Sequence, residues 1–167
     1  TPQSGLENGT PGQINRYADF SNGSRYTTVA GPNLNNWTLS VWFKKPFATS
    51  TNHSSRYYVI GSVGTKGDLL YLDRNSSSGA YQWGVYDQNG STEPGTFRFS
   101  TLSDAWHHMT VVASGSTTSL YIDGNYVDQV SIKTSGSVSY LGASVDNHGS
   151  SSNGQSFGTQ LDELKLF

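Results

Sequence analysis

The sequence of 167 residues contains no cysteine and few charged side chains. The missing cysteines exclude disulfide bonds, thiolate metal sites and a cysteine nucleophile. Charged residues make up 13% of the chain, against about 25% in typical soluble domains, and the formal net charge is −2. The ten basic residues form no cluster longer than Lys44-Lys45. Nucleic acid is therefore not expected as a partner, because its phosphates are bound through clustered Lys and Arg.

Long apolar runs and helical patterns are also missing. No segment approaches the ~20 apolar residues that a membrane-spanning helix requires, so we expect no membrane insertion. The first ten residues, TPQSGLENGT, lack the basic and apolar segments of a signal peptide. This suits a mature or trimmed chain, or one made without such a signal. No window of about a dozen residues spaces its apolar positions as an amphipathic helix would.

Neutral polar residues take the place of charge. The chain has 26 Ser, 16 Thr, 12 Asn and 19 Gly. These residues predict an exterior of hydroxyl and amide groups. Such an exterior hydrogen-bonds neutral polar ligands, or simply keeps the protein soluble.

Apolar residues recur with a period of two along most of the chain, which is typical of half-buried strands. In residues 37–44 one face carries Trp37, Leu39, Val41 and Phe43, and the other carries Thr38, Ser40, Trp42 and Lys44. Clusters of Gly, Ser, Asn and Pro separate such runs, and Asp123-Gly124-Asn125 has the residues that a tight hairpin requires. We therefore predict an all-β fold, an antiparallel two-sheet jelly-roll sandwich, as a single domain over residues 1–167.

Four segments, in this order, resemble the laminin-G-like branch of the concanavalin A-like lectin/glucanase jelly rolls. They are INRYADFSNGSRYTTV at 14–29, NNWTLSVWFKK at 35–45, AWHHMTVVASGSTTSLYIDGNYV at 105–127, and LGA with FGTQLDELKLF within 141–167. The resemblance implies two packed antiparallel sheets of about six or seven strands each, with LDELKLF returning beside the N-terminal strand. A tryptophan at the place of Trp42 is common in the family, and we expect it to pack although its face is otherwise polar.

The start of the chain departs from the family pattern. Family members usually open with an extra apolar strand and an acidic loop, whereas only TPQSGLE precedes NGTPGQ here. A missing strand would leave a sheet edge that must be covered or paired. The N-terminal tail, a neighbouring subunit or a larger parent chain could each provide that cover.

The resemblance also implies a structural calcium ion. In similar jelly rolls the Asp of the closing strand, here Asp162, meets oxygen atoms of the N-terminal loop, here Asn8 with Ser4 or Gly9. Calcium requires six to eight oxygen ligands, so Asp162 and Asn8 are the predicted core of such a site. The alternative is that the Asp162 carboxylate caps or hydrogen-bonds a turn.

Two histidines in Trp106-His107-His108 raise the question of a metal or catalytic site. Successive side chains of a strand point to opposite faces, so His107 and His108 cannot bind the same ion. We expect both to be packed and hydrogen-bonded strand residues.

Carboxylate spacing argues against an enzyme. The glucanases of the superfamily carry Glu-x-Asp-x-x-Glu on one strand, because retaining hydrolysis needs two carboxylates about 5 Å apart. Here Glu7 and Glu93 are isolated, and the adjacent Asp162 and Glu163 would face opposite ways on a strand. No Gly-x-Ser-x-Gly elbow or phosphate-binding loop occurs either. We predict that the chain is not an enzyme.

Sugar binding requires an aromatic plane with neutral hydrogen-bonding groups around it. Residues 80–87, AYQWGVYD, and the long loops 46–55 and 143–157 provide such groups. Because one face of each strand must enter the core, at most half of these rings are available to a ligand. The predicted ligand-binding residues are Tyr57, Tyr81, Trp83, Tyr86, Asn147 and His148.

These observations predict a non-catalytic recognition module that is extracellular, at a cell, matrix or virion surface. Its expected partner is a neutral glycan or a surface protein. The alternative is a purely structural decoration, fibre or adhesin domain. Such a domain would assemble with copies of itself or with a larger particle through strand edges, and it would bind no sugar.

Overall fold

The computed structural model describes twelve segments of the chain. They are residues 18–19, 27–28, 33–44, 57–61, 68–74, 81–85, 95–98, 102–103, 105–133, 136–138, 140–141 and 160–167. All regular structure in these segments is β-strand. No helix long and apolar enough to cross a bilayer occurs in these segments.

The strands fall into two large sheets and one small ribbon. Sheet 1 has the strand order β1-β14-β4-β9-β10-β11, sheet 2 has the order β2-β13-β5-β6-β7-β8, and β12 pairs with β3. The strands are β1 (Ala18–Asp19), β2 (Thr27–Thr28), β3 (Asn33–Leu34), β4 (Trp37–Lys44), β5 (Tyr57–Gly61), β6 (Asp68–Arg74), β7 (Tyr81–Val85), β8 (Gly95–Thr96), β9 (Trp106–Ser114), β10 (Thr117–Ile122), β11 (Asn125–Val130), β12 (Gly136–Ser137), β13 (Tyr140–Leu141) and β14 (Gln160–Leu166).

Every pairing between these strands is antiparallel. The closing strand β14 lies beside β1, where Ala18 pairs with Leu161. The predicted all-β antiparallel sandwich is therefore confirmed, and so is the return of the final segment beside the N-terminal strand.

The core forms between the two sheets because their strands alternate as the sequence predicts. In β4 the apolar residues at alternate positions are buried, namely Trp37, Leu39, Val41 and Phe43. The residues between them are half-buried or exposed. Sheet 1 adds Met109, Val111, Ala113, Leu120, Ile122 and Leu161, and sheet 2 adds Val59, Ile60, Leu70, Trp83 and Val85. The rings of Phe43 and Trp83 meet edge to face across the interior, with centroids 5.2 Å apart.

A two-residue turn joins β10 to β11. Ile122 pairs with Asn125, and the turn residues Asp123 and Gly124 have φ values of 50° and 78°. Turns with two positive φ angles match the right-handed twist of a hairpin, and Asp-Gly is a preferred pair for them. The predicted tight hairpin is confirmed. The pairing of β10 with β9, in which Ile122 lies opposite Met109, brings Asp123 back to the start of β9.

The edge strand β11 is tied to the far end of sheet 2. The Asp128 carboxylate accepts one hydrogen bond from the Arg98 backbone N–H and another from the Gln129 backbone N–H, both at 2.8 Å. Nearby, the buried Thr118 hydroxyl donates to the Ile132 carbonyl at 2.6 Å. These contacts close one side of the sandwich.

Candidate functional site

The outer face of sheet 1, which points away from the core, carries neutral polar and aromatic side chains. Pairing across the sheet places residues in rows, because directly opposite residues in an antiparallel pair share a face. The first row consists of Asp162, Trp42 and His108. The second row consists of Lys165, Ser40, Thr110, Tyr121 and Tyr126. We call the surface formed by these two rows the outer face. It offers aromatic rings together with hydroxyl groups.

Trp42 is the aromatic residue at one end of the outer face. Its side chain is 39% exposed, which is enough to present part of the indole to a ligand. The His108 imidazole lies beside it, with ring centroids 5.2 Å apart and planes tilted by 55°. His108 is held in turn, because its Nε2 and the Ser40 Oγ form a hydrogen bond of 2.8 Å. The indole is therefore supported by a neighbour whose own orientation is fixed.

A second aromatic group lies at the other end of the outer face. Tyr121 and Tyr126 are opposite one another on β10 and β11. Their rings meet edge to face with centroids 5.7 Å apart, a favourable arrangement for aromatic pairs. Tyr126 is 60% exposed, whereas Tyr121 is half-buried.

Formal charges on the outer side of sheet 1 lie on β14 and at the end of β4, where Lys44 shares the strand face of Trp42. Asp162 accepts a hydrogen bond from the Glu163 N–H at 2.8 Å, and Lys165 Nζ lies 3.8 Å from a Glu163 carboxylate oxygen. A bulge interrupts the β14–β4 pairing between Asp162 and Lys165, and within it Glu163 has φ 48°. The Asp162 carboxylate thus stabilises a turn-like distortion, as the alternative interpretation of this residue anticipated.

The two histidines of the Trp-His-His segment point to opposite faces and have different partners. His108 belongs to the outer face, while His107 lies beside Phe43 with ring centroids 6.0 Å apart. His107 Nδ1 is 2.7 Å from Asp123 Oδ2, and its Nε2 is 3.0 Å from Ser103 Oγ. The expectation that both histidines are packed and hydrogen-bonded is confirmed.

Asp123 closes the hairpin onto the start of β9. Besides the contact with His107, its Oδ1 accepts the His108 N–H at 2.8 Å, and its own N–H donates to the His108 carbonyl at 2.8 Å. Partial burial raises the pKa of the Asp123 carboxyl. The hydrogen bonds from His107 and His108 and the nearby imidazoles outweigh that effect, so the pKa lies below its usual value. The carboxylate is acceptor-only when ionised, so His107 must donate from Nδ1.

The order Ser103, His107, Asp123 has the contacts of a nucleophile relay, in which an imidazole links a hydroxyl to a carboxylate. A relay alone does not make a hydrolase, because the developing oxyanion also needs aligned donors in a site that excludes water. Here the Ser103 side chain is exposed, and its oxygen accepts the Ala105 N–H at 3.4 Å. These contacts join the segment before β9 to the β10–β11 turn, so they stabilise the local structure.

The predicted ligand-binding residues are distributed differently from the expectation. Trp83 has no exposed surface and packs against Phe43. The prediction that its ring faces a ligand is therefore wrong, because its strand face forms the core. Tyr57 and Tyr81 lie on β5 and β7, but their side chains are outside the described part of the structure. Tyr86, Asn147, His148 and the metal candidate Asn8 also lie outside the described residues.

Calcium ligands are sparse in the described part. Among the described residues, no group of three or more His, Asp or Glu side chains could hold a metal ion. Asp162 provides one carboxylate, and one of its oxygens already accepts the Glu163 N–H. A site with Asn8 stays a prediction, because it depends on residues before 18.

Sequence reasoning missed the exposure of Trp42 and the contribution of Tyr126. The alternation in residues 37–44 contained the signal for Trp42, because it placed the indole among Thr38, Ser40 and Lys44. Tyr126 follows the Asp-Gly turn by two residues. Its face becomes evident only with the register of the hairpin.

Two six-stranded antiparallel sheets, packed face to face, define a lectin-like β-sandwich. Sequence comparison agrees with this class. The family model described as concanavalin A-like lectin/glucanases superfamily matches residues 20–167, in its laminin-G form. The chain belongs to this family. No curated protein sequence matches it.

Solved structures share the fold at low sequence identity. The binding domain of Paraclostridial Mosquitocidal Protein 1 superposes with a TM-score of 0.65 at 16% identity, over 98% of this chain and 42% of that one. Domains LG4-5 of the mouse laminin alpha1 chain superpose with a TM-score of 0.53 at 20% identity, over 91% of this chain and 42% of that one. Caenorhabditis elegans galectin LEC-6 superposes with a TM-score of 0.52 at 12% identity, over 85% of this chain and 89% of that one. This chain thus spans less than half of the toxin domain and of the laminin fragment. At these identities the similarity concerns the fold alone.

Proposed function

We propose that this chain is a non-catalytic recognition module that binds neutral glycans on the outer face of sheet 1, with Trp42 as the stacking residue. One observation carries the proposal, namely the partly exposed Trp42 indole beside His108 on a face of neutral hydroxyl groups. The lectin-type fold family and the shared fold of a galectin support the same class of function.

The chemistry of Trp42 suits a sugar ring. A pyranose has an apolar face that packs on an aromatic plane, while its hydroxyls need hydrogen-bonding partners at the rim. The contact with His108 limits the orientations of the indole, and a preorganised side chain loses less entropy when a ligand binds. The hydroxyls of Ser40 and Thr110 lie on the same face for the rim contacts.

The charge distribution favours a neutral sugar over an acidic one. Acidic sugars are usually held by Arg or Lys through charge-assisted hydrogen bonds. Lys165 lies near the carboxylate of Glu163, and no arginine occurs in the two rows of the outer face. A neutral glycan can approach Trp42 without displacing an ion pair.

The other predicted features remain part of the proposal. We place the module outside the cell, at a cell, matrix or virion surface. Tyr86 in the segment 80–87, and Asn147 and His148 in the loop 143–157, stay predicted ligand contacts. The purely structural alternative requires pairing through strand edges. A stable oligomer in solution, together with silence on a glycan array, would favour that alternative.

The test is binding to an array of neutral glycans, followed by titration of the strongest hit. Native protein should bind, and Trp42→Ala should weaken binding about tenfold or more, because an aromatic stacking contact contributes roughly 0.5–1.5 kcal/mol beyond its buried area. The affinity of Trp42→Phe should lie between that of the native protein and that of Trp42→Ala. Ser114→Ala, an exposed change at the far end of β9, is the matched control and should bind like the native protein.

Folding of each variant is checked by circular dichroism and urea unfolding. Absence of binding to every neutral glycan would overturn the proposal. So would a folded Trp42→Ala variant that binds as tightly as the native protein.

A further inference from the structure

The outer face has two aromatic groups, and their separation constrains the size of a ligand. Trp42 occupies β4, while Tyr126 occupies β11, three strands away in sheet 1. The register places Trp42 opposite His108, and Tyr126 in the row of Thr110, two residues further along β9. Three strand spacings of about 4.8 Å and two residues of about 3.4 Å put the two Cα atoms roughly 16 Å apart. A single sugar ring cannot cover both.

The surface between the two aromatic groups is neutral and polar. The residues that connect them along the rows are His108, Ser40, Thr110 and Tyr121. No Asp, Glu, Lys or Arg stands among these four residues. Beyond them, in the next row, the Gln129 side-chain amide donates to the Ser119 hydroxyl at 2.9 Å. The surface between the rings thus offers hydroxyl and amide groups without a formal carboxylate or ammonium.

Tyr126 is mostly exposed to solvent. The residue is 60% exposed, and its ring packs edge to face on Tyr121. That pair holds the Tyr126 ring in a defined orientation at the edge of the sheet. An oriented, exposed ring next to hydroxyl groups has the same features as the surface around Trp42.

We infer that the outer face binds a chain of linked neutral sugars that crosses the strands, with one ring on Trp42 and another, further along the chain, on Tyr126. This inference rests on the proposed function and specifies its ligand class as an oligosaccharide or polysaccharide rather than a monosaccharide. The hydroxyl groups between the two rings contact the intervening sugar units. Acidic glycans bind more weakly, because the four residues between the two rings include no Lys or Arg.

The experiment is a chain-length series measured by calorimetry on native protein, Trp42→Ala, Tyr126→Ala and Tyr126→Phe. The probes are the cello-, malto-, laminari- and chito-oligosaccharides, each from monosaccharide to hexasaccharide. For the series that binds, affinity of the native protein should rise about tenfold or more between the short and long members. Tyr126→Ala should remove this rise and leave the affinity for short members unchanged. Tyr126→Phe, which keeps the ring, should retain the rise.

The outcomes separate this inference from the proposed function. Native protein that binds short and long members equally, or a Tyr126→Ala variant that keeps the full length dependence, would overturn the inference while leaving Trp42-dependent binding intact. Loss of binding in Trp42→Ala together with a retained length dependence in Tyr126→Phe supports both. If no series binds and the neutral array is also silent, both fail together. Because Tyr126 is mostly exposed, each variant is expected to fold, and urea unfolding verifies this.

Discussion

Asp123 and His107 are sixteen residues apart in sequence, yet their side chains meet at 2.7 Å between Oδ2 and Nδ1. The hairpin of β9 and β10 makes this possible, since its pairing places Ile122 opposite Met109 and so returns the chain to the start of β9. The same carboxylate accepts the His108 backbone N–H. One side chain therefore fixes the turn, the beginning of β9 and the orientation of an imidazole.

Replacing Asp123 with Asn should lower the free energy of unfolding by about 1 kcal/mol, because a charge-assisted hydrogen bond on a part-exposed side chain is lost. Asn tolerates the positive φ of this position, so backbone strain does not contribute. Urea unfolding measures the change, and the slope with denaturant should stay constant. Ser116→Ala, an exposed change in the β9–β10 turn, is the control. A variant as stable as the native protein would show that the carboxylate contributes nothing.

The lowered pKa of Asp123 predicts that the stability of the fold depends on pH. The folded-state pKa of Asp123 lies below its usual value, so the folded protein holds this proton less tightly than the unfolded chain. The resulting stabilisation is complete above the unfolded pKa near 4 and is lost as the pH falls through the folded pKa. The stability difference between native protein and Asp123→Asn should therefore be largest at pH 5 and above and shrink below pH 4. Urea unfolding between pH 6 and pH 2.5 checks this, and a difference that stays constant to the lowest pH would contradict it.

Truncation of the two tryptophans, one on each sheet, should destabilise the fold to very different extents. Trp83→Ala should destabilise the fold by about 3–5 kcal/mol, since its fully buried ring leaves a cavity against Phe43. Trp42→Ala should cost only about 1 kcal/mol, because its indole is partly exposed and removal of surface contacts is mild. Thermal or urea unfolding of both variants tests the pair. Equal losses of stability would mean that one of the two environments is wrongly assigned.

Ser103 should not behave as a nucleophile despite its contact with His107. Its hydroxyl is exposed and accepts the Ala105 N–H, and activation of a serine requires a preorganised oxyanion site as well as a base. A fluorophosphonate probe should leave the native protein unlabelled, as judged by intact mass. Labelling that disappears in both Ser103→Ala and Asp123→Asn would instead identify an active serine.

The sequence was sufficient for the fold because side chains alternate strictly along the strands. In residues 37–44 this pattern divides β4 into the two faces that the structure shows, and the Asp-Gly pair predicts the turn. Alternation identifies two faces without saying which one is buried, however. In residues 80–87 the alternation predicts Tyr81 and Trp83 on one face and Tyr86 on the other, so aromatic content does not decide which face is buried, and Trp83 belongs to the core.

The candidate site depends on relationships that a linear pattern does not contain. Trp42, His108 and Ser40 come together only because β4 and β9 pair in one register. The hydrogen bond between Ser40 and His108 joins residues that are 68 positions apart in the sequence. Tyr126 joins their face through two further pairings and a bulge between Leu120 and Tyr121. A shift of one residue in any of these pairings would send the side chains to the opposite face. The positive φ of Glu163 in the β14 bulge likewise has no signal in the sequence.

The Asp128 contact at the edge of the sandwich has a consequence for local opening. One carboxylate holds two backbone amides: that of Gln129, the next residue in β11, and that of Arg98, which lies 30 residues before Asp128 and just after β8 of sheet 2. If β11 detaches from this end of sheet 2, the Arg98 amide loses its acceptor, whereas the Gln129 amide keeps the carboxylate of its own neighbour in the strand. We therefore expect local opening to expose the Arg98 amide to deuterium exchange, and Asp128→Ala to accelerate exchange at both amides while the amides in the middle of β4 and β9 keep their protection.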